Sequence, residues 1–266
     1  MYSPFKLGIK YLLYWLQAGN GKGHGIHSPF VFEFIKSVLN DESVYYCYEP
    51  IEYLRNKLKQ DNNVLHLQDF GAGSRVHASY ERQVKAIANS SLKPKKFAQL
   101  LFRMVNFYQP KNILELGTSL GITTSYLASA NTTIPVITME GAAAVAAIAQ
   151  KNFDQLHLGN IKIIEGNFDH TLQQVLNEKL HLVDFAFIDG NHRKDPTIQY
   201  FEKLLPHIHE HSILIFDDIH WSEEMEAAWN YIKDHERVTL SIDLFFIGII
   251  FFRTEQKIKQ DFIIRF

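Results

Sequence analysis

The second half of the chain alternates between short apolar runs and longer amphipathic stretches. Five strand-like runs recur at regular spacing, and each leads into a segment with helical periodicity. These runs are Ile113 to Leu116, Val136 to Met139, Ile161 to Ile164, Val183 to Ile188 and Ile213 to Phe216. Almost continuous apolar runs are typical of parallel strands that are covered on both faces. The pattern therefore predicts an α/β fold with a mostly parallel sheet.

The pattern changes near the end of the chain. Two apolar runs, Arg237 to Ile242 and Phe245 to Phe252, are separated by only a short turn. Such a short connection predicts an antiparallel hairpin, which we place at one edge of the sheet. Together with the five earlier runs, the hairpin gives a sheet of seven strands.

The residues before the first strand follow a different pattern. Helices are predicted over Ser3 to Gln17 and over Ile51 to Lys59. The glycine-containing segment Asp69 to His77 is predicted to be a loop that covers a ligand site. We therefore predict a mainly helical N-terminal extension or lid at residues 1–92 and an α/β domain at residues 93–266.

Composition narrows the class of protein. A hydrophobic content of 46% with 21% charged residues is ordinary for a soluble globular protein. The net charge of −2 disfavours a broad nucleic-acid surface, so no nucleic-acid partner is expected. The single cysteine, Cys47, allows no internal disulfide, and a reducing cytoplasmic location is the simplest interpretation. We expect Cys47 to be a packed thiol and not a nucleophile.

The N-terminal helix carries the apolar run Tyr11 to Leu16. This run is too short to span a bilayer, and no small-residue cleavage pattern follows it. We therefore expect no transmembrane segment, and we interpret the helix as amphipathic and docked on its own domain. Attachment of the helix to a membrane surface or to a partner subunit, as in a homodimer, stays open as an alternative.

A glycine turn follows the first predicted strand. The strand breaks at Gly117, the turn closes at Gly121, and Thr123 lies in the first turn of the next helix. Backbone N–H groups at the start of such a helix face outward and can bind a ligand. The spacing is GxxxG, which differs from the GxGxxG of dinucleotide enzymes and disfavours a dehydrogenase.

Acidic residues stand at the ends of three other predicted strands. Glu140 ends the second strand, Asp189 ends the fourth, and Asp217 and Asp218 end the fifth. Open parallel sheets bind their ligands at these strand ends. Glu140 can accept both hydroxyls of a ribose, although an ordinary acidic residue at a helix start is the alternative. A carboxylate pair at the end of a buried strand calls for a cation or a substrate hydroxyl as its partner.

The order of elements and motifs resembles the class I S-adenosylmethionine-dependent methyltransferases, and within them the catechol-type small-molecule O-methyltransferases. The resemblance covers roughly Lys93 to Phe252. ELGTSLG, Glu115 to Gly121, is similar to the family's E-x-G-x-x-x-G loop around the methionine part of the cofactor, and EGNFDHTL, Glu165 to Leu172, looks like the adenine-contacting turn. The resemblance implies a Rossmann-like methyltransferase fold that binds S-adenosylmethionine. The implied cofactor-binding residues are Glu115, Gly117, Thr118, Ser119, Gly121, Thr123, Glu140, Gly141, Asn167, Phe168 and Asp189.

The resemblance also implies a divalent metal. In catechol-type enzymes an Asp at the Asp189 position and an Asp-Asn pair at the Asp217–Asp218 position bind the ion. Here Asp218 replaces the Asn. Three carboxylates still suit Mg²⁺ or another hard divalent ion, so the implied metal ligands are Asp189, Asp217 and Asp218.

The family's catalytic lysine has no counterpart in this chain, because His192 occupies its position. A histidine with a pKa near neutrality can accept a hydroxyl proton, so His192 is a candidate general base. The alternative of equal weight is a solvent-facing loop histidine. His220, which follows the carboxylate pair, is a comparable candidate.

These expectations lead to one hypothesis and several alternatives. The hypothesis is methyl transfer from S-adenosylmethionine to a hydroxyl oxygen of a small-molecule acceptor, assisted by a divalent metal. One alternative keeps the cofactor and changes the acceptor to a nitrogen, a protein side chain or an RNA base. Another is a non-catalytic module that binds the cofactor or serves assembly.

Overall fold

The computed structural model describes residues 1–68 and 79–266. The predicted loop Asp69 to His77 lies outside the described residues. Helices and strands alternate along most of the described chain, which confirms the predicted α/β class. Within the described ranges, every helix is too short or too polar to cross a membrane.

The elements follow one another in a regular order. The helices are α1 Pro4–Gln17, α2 Pro29–Phe34, α3 Tyr48–Leu58, α4 Val84–Ser91, α5 Lys95–Tyr108, α6 Ile122–Ser129, α7 Ala143–Gln155, α8 Phe168–Glu178, α9 Lys194–Leu204 and α10 Glu223–Asp234. The strands are β1 Val64–Gln68, β2 Ser79–Gln83, β3 Ile113–Leu116, β4 Val136–Glu140, β5 Ile161–Glu165, β6 Phe185–Ile188, β7 Ile213–Asp217, β8 Leu240–Asp243, β9 Ile247–Phe251 and β10 Gln260–Ile263.

The described chain divides into two compact units. The first unit combines Met1–Asp41 with Leu172–Phe266, and the second unit is the continuous segment Glu42–Thr171. The predicted domain boundary between residues 92 and 93 stays a prediction.

The second unit is built on three parallel strands in the order β3, β4, β5. All four residues of β3 are buried, as the continuous apolar run predicts. The helices that pack on these strands contribute large apolar side chains to one core cluster, including Phe102, Tyr126 and Val145. Strands β1 and β2 form a separate antiparallel pair in this unit. The core therefore holds the carboxyl ends of β3, β4 and β5 in a fixed position.

The first unit contains five strands in the order β10, β8, β9, β7, β6. β6 and β7 are parallel, while β9 is antiparallel to both β7 and β8. The predicted antiparallel hairpin is therefore confirmed as the pair β8 and β9. It does not form the edge, because β10 pairs in parallel with β8 beyond it.

Besides β1 and β2, the described residues contain eight strands, three in the second unit and five in the first, where seven were predicted. β10 is the strand that the prediction missed. It begins with Gln260 and Asp261, and its residues alternate between partly buried and exposed. A short edge strand of this kind has one solvated face, so it lacks the continuous apolar run that marked the inner strands.

Helix α1 is attached to the rest of the first unit by polar contacts along one face. The hydroxyl of Tyr2 donates to Glu226 at 2.7 Å, and the ammonium of Lys10 lies 2.9 Å from both carboxylate oxygens of Glu226. The hydroxyl of Tyr14 donates to the carbonyl oxygen of Ile264. These contacts connect the first helix of the chain to α10 and to the segment that follows β10.

Candidate active site

The turn after β3 is shaped by three residues with positive φ. The φ angles of Gly117, Ser119 and Gly121 are 108°, 49° and 80°. Glycine adopts such angles at little cost because it has no Cβ, and here they carry the chain from β3 into α6. At Gly121 a Cβ would also lie only 2.5 Å from the ring of Phe153. The turn is therefore fixed by backbone conformation and by close packing.

Hydrogen bonds attach this turn to the neighbouring strand. The N–H groups of Gly117 and Thr118 both donate to the carbonyl oxygen of Met139, at 3.0 and 3.1 Å. The hydroxyl of Thr118 lies 2.6 Å from the hydroxyl of Thr138, which in turn donates to Glu115 at 2.6 Å. Backbone and side chains thus hold the turn at the carboxyl end of β4.

Glu115 lies at the interior end of this chain of hydroxyl groups. Its side chain is fully buried, and Oε2 also accepts a hydrogen bond from Thr124. Among the described residues, Oε1 has no hydrogen-bond partner. Burial raises the pKa of Glu115 to about 7, although the hydroxyls of Thr124 and Thr138 act in the opposite direction. Glu115 supports the turn from inside the protein, and its contact with a cofactor stays a prediction.

Glu140 connects the turns after β3 and β4. Its Oε2 accepts a hydrogen bond from the N–H of Ser119 at 2.9 Å, and its Oε1 accepts one from the N–H of Ala142 at 2.9 Å. Burial raises the pKa of Glu140, while the backbone donors Ala142, Ser119 and Gly141 oppose this rise. Among the described residues, apart from the two chain neighbours of Gly141, no atom lies within 4 Å of the position that a Cβ would take on Gly141. The carboxylate is thus oriented beside open space.

The turn after β5 lies next to the turn after β4. The N–H of Gly166 donates to the carbonyl oxygen of Glu140 at 2.9 Å. Asn167 caps the following helix, because its Oδ1 accepts a hydrogen bond from the N–H of Asp169 at 2.8 Å. Phe168 begins α8 and is partly buried.

Apart from Asp189, every predicted cofactor residue lies in β3, β4 or β5 or in the turn or helix that follows one of these strands. Because these strands are parallel neighbours, their following turns meet at one edge of the second unit. Thr123, in the first turn of α6, is 7% exposed and so contributes little surface at this edge. Asp189 follows β6 in the first unit.

In the first unit, the structure brings together Asp189, His192 and Asp217. One ligand atom of each lies within 4.8 Å of the ligand atoms of the other two. Parallel pairing of Ile188 with Phe216 places Asp189 and Asp217 at the same end of β6 and β7. The Nε2 of His192 lies 3.5 Å from Oδ1 of Asp189. Two carboxylate oxygens and one imidazole nitrogen thus converge on one point.

The segment that carries His192 is braced on both sides. Asn191 has a φ of 64°, its Nδ2 donates to the hydroxyl of Tyr200 at 3.0 Å, and its Oδ1 accepts hydrogen bonds from Arg193. The side chain of His192 is 34% exposed. Its position is therefore set by neighbouring residues, and solvent reaches its ring.

Asp218 does not belong to this cluster in the described structure. It has a φ of 52°, and its N–H donates to the carbonyl oxygen of Phe246 at 2.7 Å. The sequence-based ligand set of Asp189, Asp217 and Asp218 stays a prediction, and the observed geometry places His192 where Asp218 was expected.

His220 is held between two carboxylates. Its Nδ1 lies 3.0 Å from Oε1 of Glu226, and its Nε2 lies 2.8 Å from Oδ2 of Asp243. Burial alone would lower the pKa of His220, but the hydrogen bonds and charges of Asp243 and Glu226 raise it overall. Its ring also stacks on Phe245 with centroids 5.1 Å apart. This arrangement stabilises the imidazolium, which has no lone pair with which to accept a proton.

A cleft of about 530 Å³ lies beside His192 in the first unit. Its walls come from the first residues of the chain and from the start of α10, and they include Tyr2, Lys6, Trp221 and Glu223. Lys6 and Glu223 form an ion pair at 2.8 Å, so their charges balance. The volume is in the range of pockets that bind small molecules.

Sequence reasoning missed two features of these sites. Thr138 links the turn to Glu115, and the signal for it was a lone hydroxyl in the otherwise apolar run Val136 to Met139. His192 was predicted as a base and not as a member of the carboxylate cluster. The spacing of three residues between Asp189 and His192 was the available signal, although it depends on the left-handed conformation of Asn191.

Comparisons with known proteins agree with the fold. Residues 114–219 match a family described as a methyltransferase domain. A catechol O-methyltransferase from Niastella koreensis is 35% identical over 129 residues, which cover 47% of this chain and 55% of that protein. The chain thus spans only about half the length of this curated relative.

Solved structures extend the similarity to most of the chain. An SAH-bound methyltransferase from Podospora anserina aligns with a TM-score of 0.59 and 14% identity, covering 85% of this chain and 97% of that one. An O-methyltransferase from Bacillus cereus in complex with SAH aligns with a TM-score of 0.56 and 21% identity, covering 80% and 93%. At these identities the similarity establishes the shared fold.

Proposed function

We propose that this chain, which contains a class I methyltransferase domain, transfers a methyl group from S-adenosylmethionine to a hydroxyl oxygen of a small molecule. The observation that carries the proposal is the edge of the second unit where Gly117, Glu140 and Asn167 meet at the ends of three parallel strands. The identity to a catechol O-methyltransferase and the fold shared with two SAH-bound methyltransferases support it.

The residues at this edge fit the cofactor. Each oxygen of Glu140 accepts one backbone hydrogen bond, and a carboxylate oxygen has a second lone pair that can accept a ribose hydroxyl. Among the described residues, the position that a Cβ would take on Gly141 is open, so a ligand can approach the backbone beside the carboxylate. Gly117 has no Cβ, so the turn backbone is open there to a cofactor, whereas the missing Cβ of Gly121 makes room for the ring of Phe153.

The acceptor is placed by residues of the first unit in this proposal. The cleft of about 530 Å³ beside His192 suits a small molecule, and its walls combine the aromatic Trp221 with polar groups. A divalent ion fits the donor set of Asp189, His192 and Asp217, and when bound it would lower the pKa of an acceptor hydroxyl.

The chain's own residues contribute mainly alignment. Methyl transfer is an in-line displacement at a sulfonium that is already activated, so the rate depends on the orientation of donor and acceptor and on exclusion of water. Of the two histidines predicted as bases, His220 contacts Glu226 and Asp243 through its two ring nitrogens, so both nitrogens are engaged by carboxylates. We therefore place the activation of the acceptor at the cluster that contains His192.

Calorimetric titration with S-adenosylhomocysteine tests the cofactor site. Wild-type protein should bind it. Glu140→Ala should weaken binding by roughly 100-fold, because the two hydrogen bonds from the ribose hydroxyls to the carboxylate would be lost. The matched control is Glu165→Ala. Glu165 is the register partner of Glu140 on β5, is exposed, and should leave the affinity within about 2-fold.

Two results would count against the proposal. Absence of S-adenosylhomocysteine binding to wild-type protein, or equal effects of Glu140→Ala and Glu165→Ala, would contradict the cofactor site. Binding of the cofactor without transfer of a labelled methyl group to catechol or related hydroxyl acceptors would favour the non-catalytic module.

A further inference from the structure

The cluster in the first unit has an unusual composition for a site that binds Mg²⁺. Mg²⁺ is bound in proteins by oxygen ligands and retains several of its waters. Here the third donor, beside the carboxylates of Asp189 and Asp217, is the Nε2 of His192. Imidazole nitrogen suits first-row transition ions, and carboxylate oxygen suits Mn²⁺ as well as Mg²⁺. The donor set therefore favours an ion that accepts both nitrogen and oxygen.

The charges of the cluster also favour a cation. Asp217 is 2% exposed, and the side chain of Asp189 is 17% exposed. Two carboxylates held this close repel one another in a poorly solvated environment. A divalent ion balances both and leaves the imidazole neutral, as a metal ligand must be.

The surroundings of His192 fit a ligand that is positioned before the ion arrives. Asn191 holds the segment through its hydrogen bonds to Tyr200 and Arg193, so the imidazole does not depend on an ion for its placement. Its exposed fraction of 34% gives an ion a path from solvent. Preorganisation of this kind lowers the entropic cost of binding.

We infer that His192 is a metal ligand and not the general base, and that Asp189, His192 and Asp217 select a first-row transition ion such as Mn²⁺ over Mg²⁺. The inference deepens the proposed function, on which it rests for the role of the ion at the acceptor. An imidazole nitrogen that is bonded to the ion cannot also take the hydroxyl proton. A bound ion would lower the pKa of the acceptor hydroxyl, so solvent could take that proton without a histidine base.

Binding of Mn²⁺ can be followed by electron paramagnetic resonance without any assay of activity. Wild-type protein should bind Mn²⁺ at least about 10-fold more tightly than Mg²⁺ in competition, and spin-echo modulation should reveal a ¹⁴N nucleus coupled to the bound ion. His192→Ala should abolish the nitrogen coupling and weaken Mn²⁺ binding roughly 10- to 100-fold. It should change Mg²⁺ binding by less than about 3-fold, because Mg²⁺ gains little from the nitrogen.

Four further variants sharpen this test. His211→Ala removes an exposed histidine of the same unit and should leave both signals unchanged. Asp218→Asn should leave Mn²⁺ affinity within about 3-fold, whereas Asp189→Asn should weaken the binding of both ions. If His192→Ala does not fold, His192→Gln keeps a polar side chain of similar length and should still lose the nitrogen coupling.

The inference is overturned if wild-type protein binds no Mn²⁺ or shows no nitrogen coupling. It is also overturned if wild-type protein binds Mg²⁺ as tightly as Mn²⁺, or if Asp218→Asn weakens Mn²⁺ binding as much as His192→Ala does. A parallel titration with S-adenosylhomocysteine separates this outcome from the proposed function. If the protein binds the cofactor but fails the Mn²⁺ test, only the inference about the ion is refuted. If it binds Mn²⁺ but not the cofactor, the proposed function is refuted.

Discussion

The two candidate sites of this protein are built in different ways. In the second unit, the proposed cofactor edge consists largely of backbone: the N–H groups of Gly117 and Thr118 donate to one carbonyl oxygen, and Glu140 accepts hydrogen bonds from two further backbone N–H groups. In the first unit, the cluster of Asp189, His192 and Asp217 consists of side chains. A site made of backbone survives most substitutions, whereas a site made of side chains changes its chemistry with a single residue.

The buried ionisable groups near the two sites also differ. Burial holds Glu115 in the second unit towards its neutral form. The hydrogen bonds and charges of Asp243 and Glu226 raise the pKa of His220 in the first unit, against the effect of burial. Both shifts raise a pKa, so both groups lower the stability of the folded state as pH rises, but they do so in different pH ranges.

The largest effect is expected from Gly121→Ala. The new alanine would have to adopt a φ of 80°, and its Cβ would lie 2.5 Å from the ring of Phe153. Backbone strain and overpacking would therefore both destabilise the folded state. We expect a loss of about 4 kcal/mol in the free energy of unfolding, measured by urea titration with far-UV circular dichroism.

Gly141→Ala is the matched control. The backbone of residue 141 has a φ that any residue can adopt, and no atom of the other described residues, apart from its chain neighbours, lies within 4 Å of the new Cβ. It should change stability by less than about 0.5 kcal/mol. Similar losses for the two variants would refute the view that the turn after β3 is fixed by packing.

The next effect concerns the pH dependence set by Glu115. Its pKa rises from 4.5 in the unfolded chain to about 7 in the folded protein. Both states are protonated below pH 4.5, so stability falls as pH rises from there to 7 and then levels off, by about 3 kcal/mol in total. Glu115→Gln should remove this dependence. Urea titrations between pH 4.5 and 8 would measure it, and an unchanged slope would contradict a buried neutral acid.

The smallest effect is expected from His220→Gln in the first unit. The raised pKa of His220 gives stability that is present below the unfolded value of 6.5 and is lost as pH rises through the folded pKa. The variant should lose about 2 kcal/mol at pH 6 and less at high pH. Tryptophan fluorescence is a suitable probe, since the 3 tryptophans, Trp15, Trp221 and Trp229, all belong to the first unit. His211→Gln is the control, and an equal loss at all pH values would argue against an imidazolium.

The sequence predicted the strands and turns correctly at the site that is built mainly from backbone groups. β3 is one continuous apolar run, and the glycines that follow it have the positive φ angles that a turn of this kind requires. β10 was missed because one of its faces is solvated. The membership of His192 in the cluster depends on the conformation of Asn191, and the role of Thr138 depends on the pairing of β3 with β4. Neither feature has a local pattern that a single sequence displays.

The division of the chain into one continuous unit and one discontinuous unit has a consequence for biosynthesis. Every contact within Glu42–Thr171 can form once residue 171 has left the ribosome. In the first unit, the N–H of Gly19 donates to the carbonyl oxygen of Ile263, and the side-chain hydroxyl of Tyr14 donates to the carbonyl oxygen of Ile264. Helix α1 must therefore wait for nearly the whole chain to be synthesised, and residues that docking buries, such as Tyr14 and Ala18, remain available to chaperones during that time.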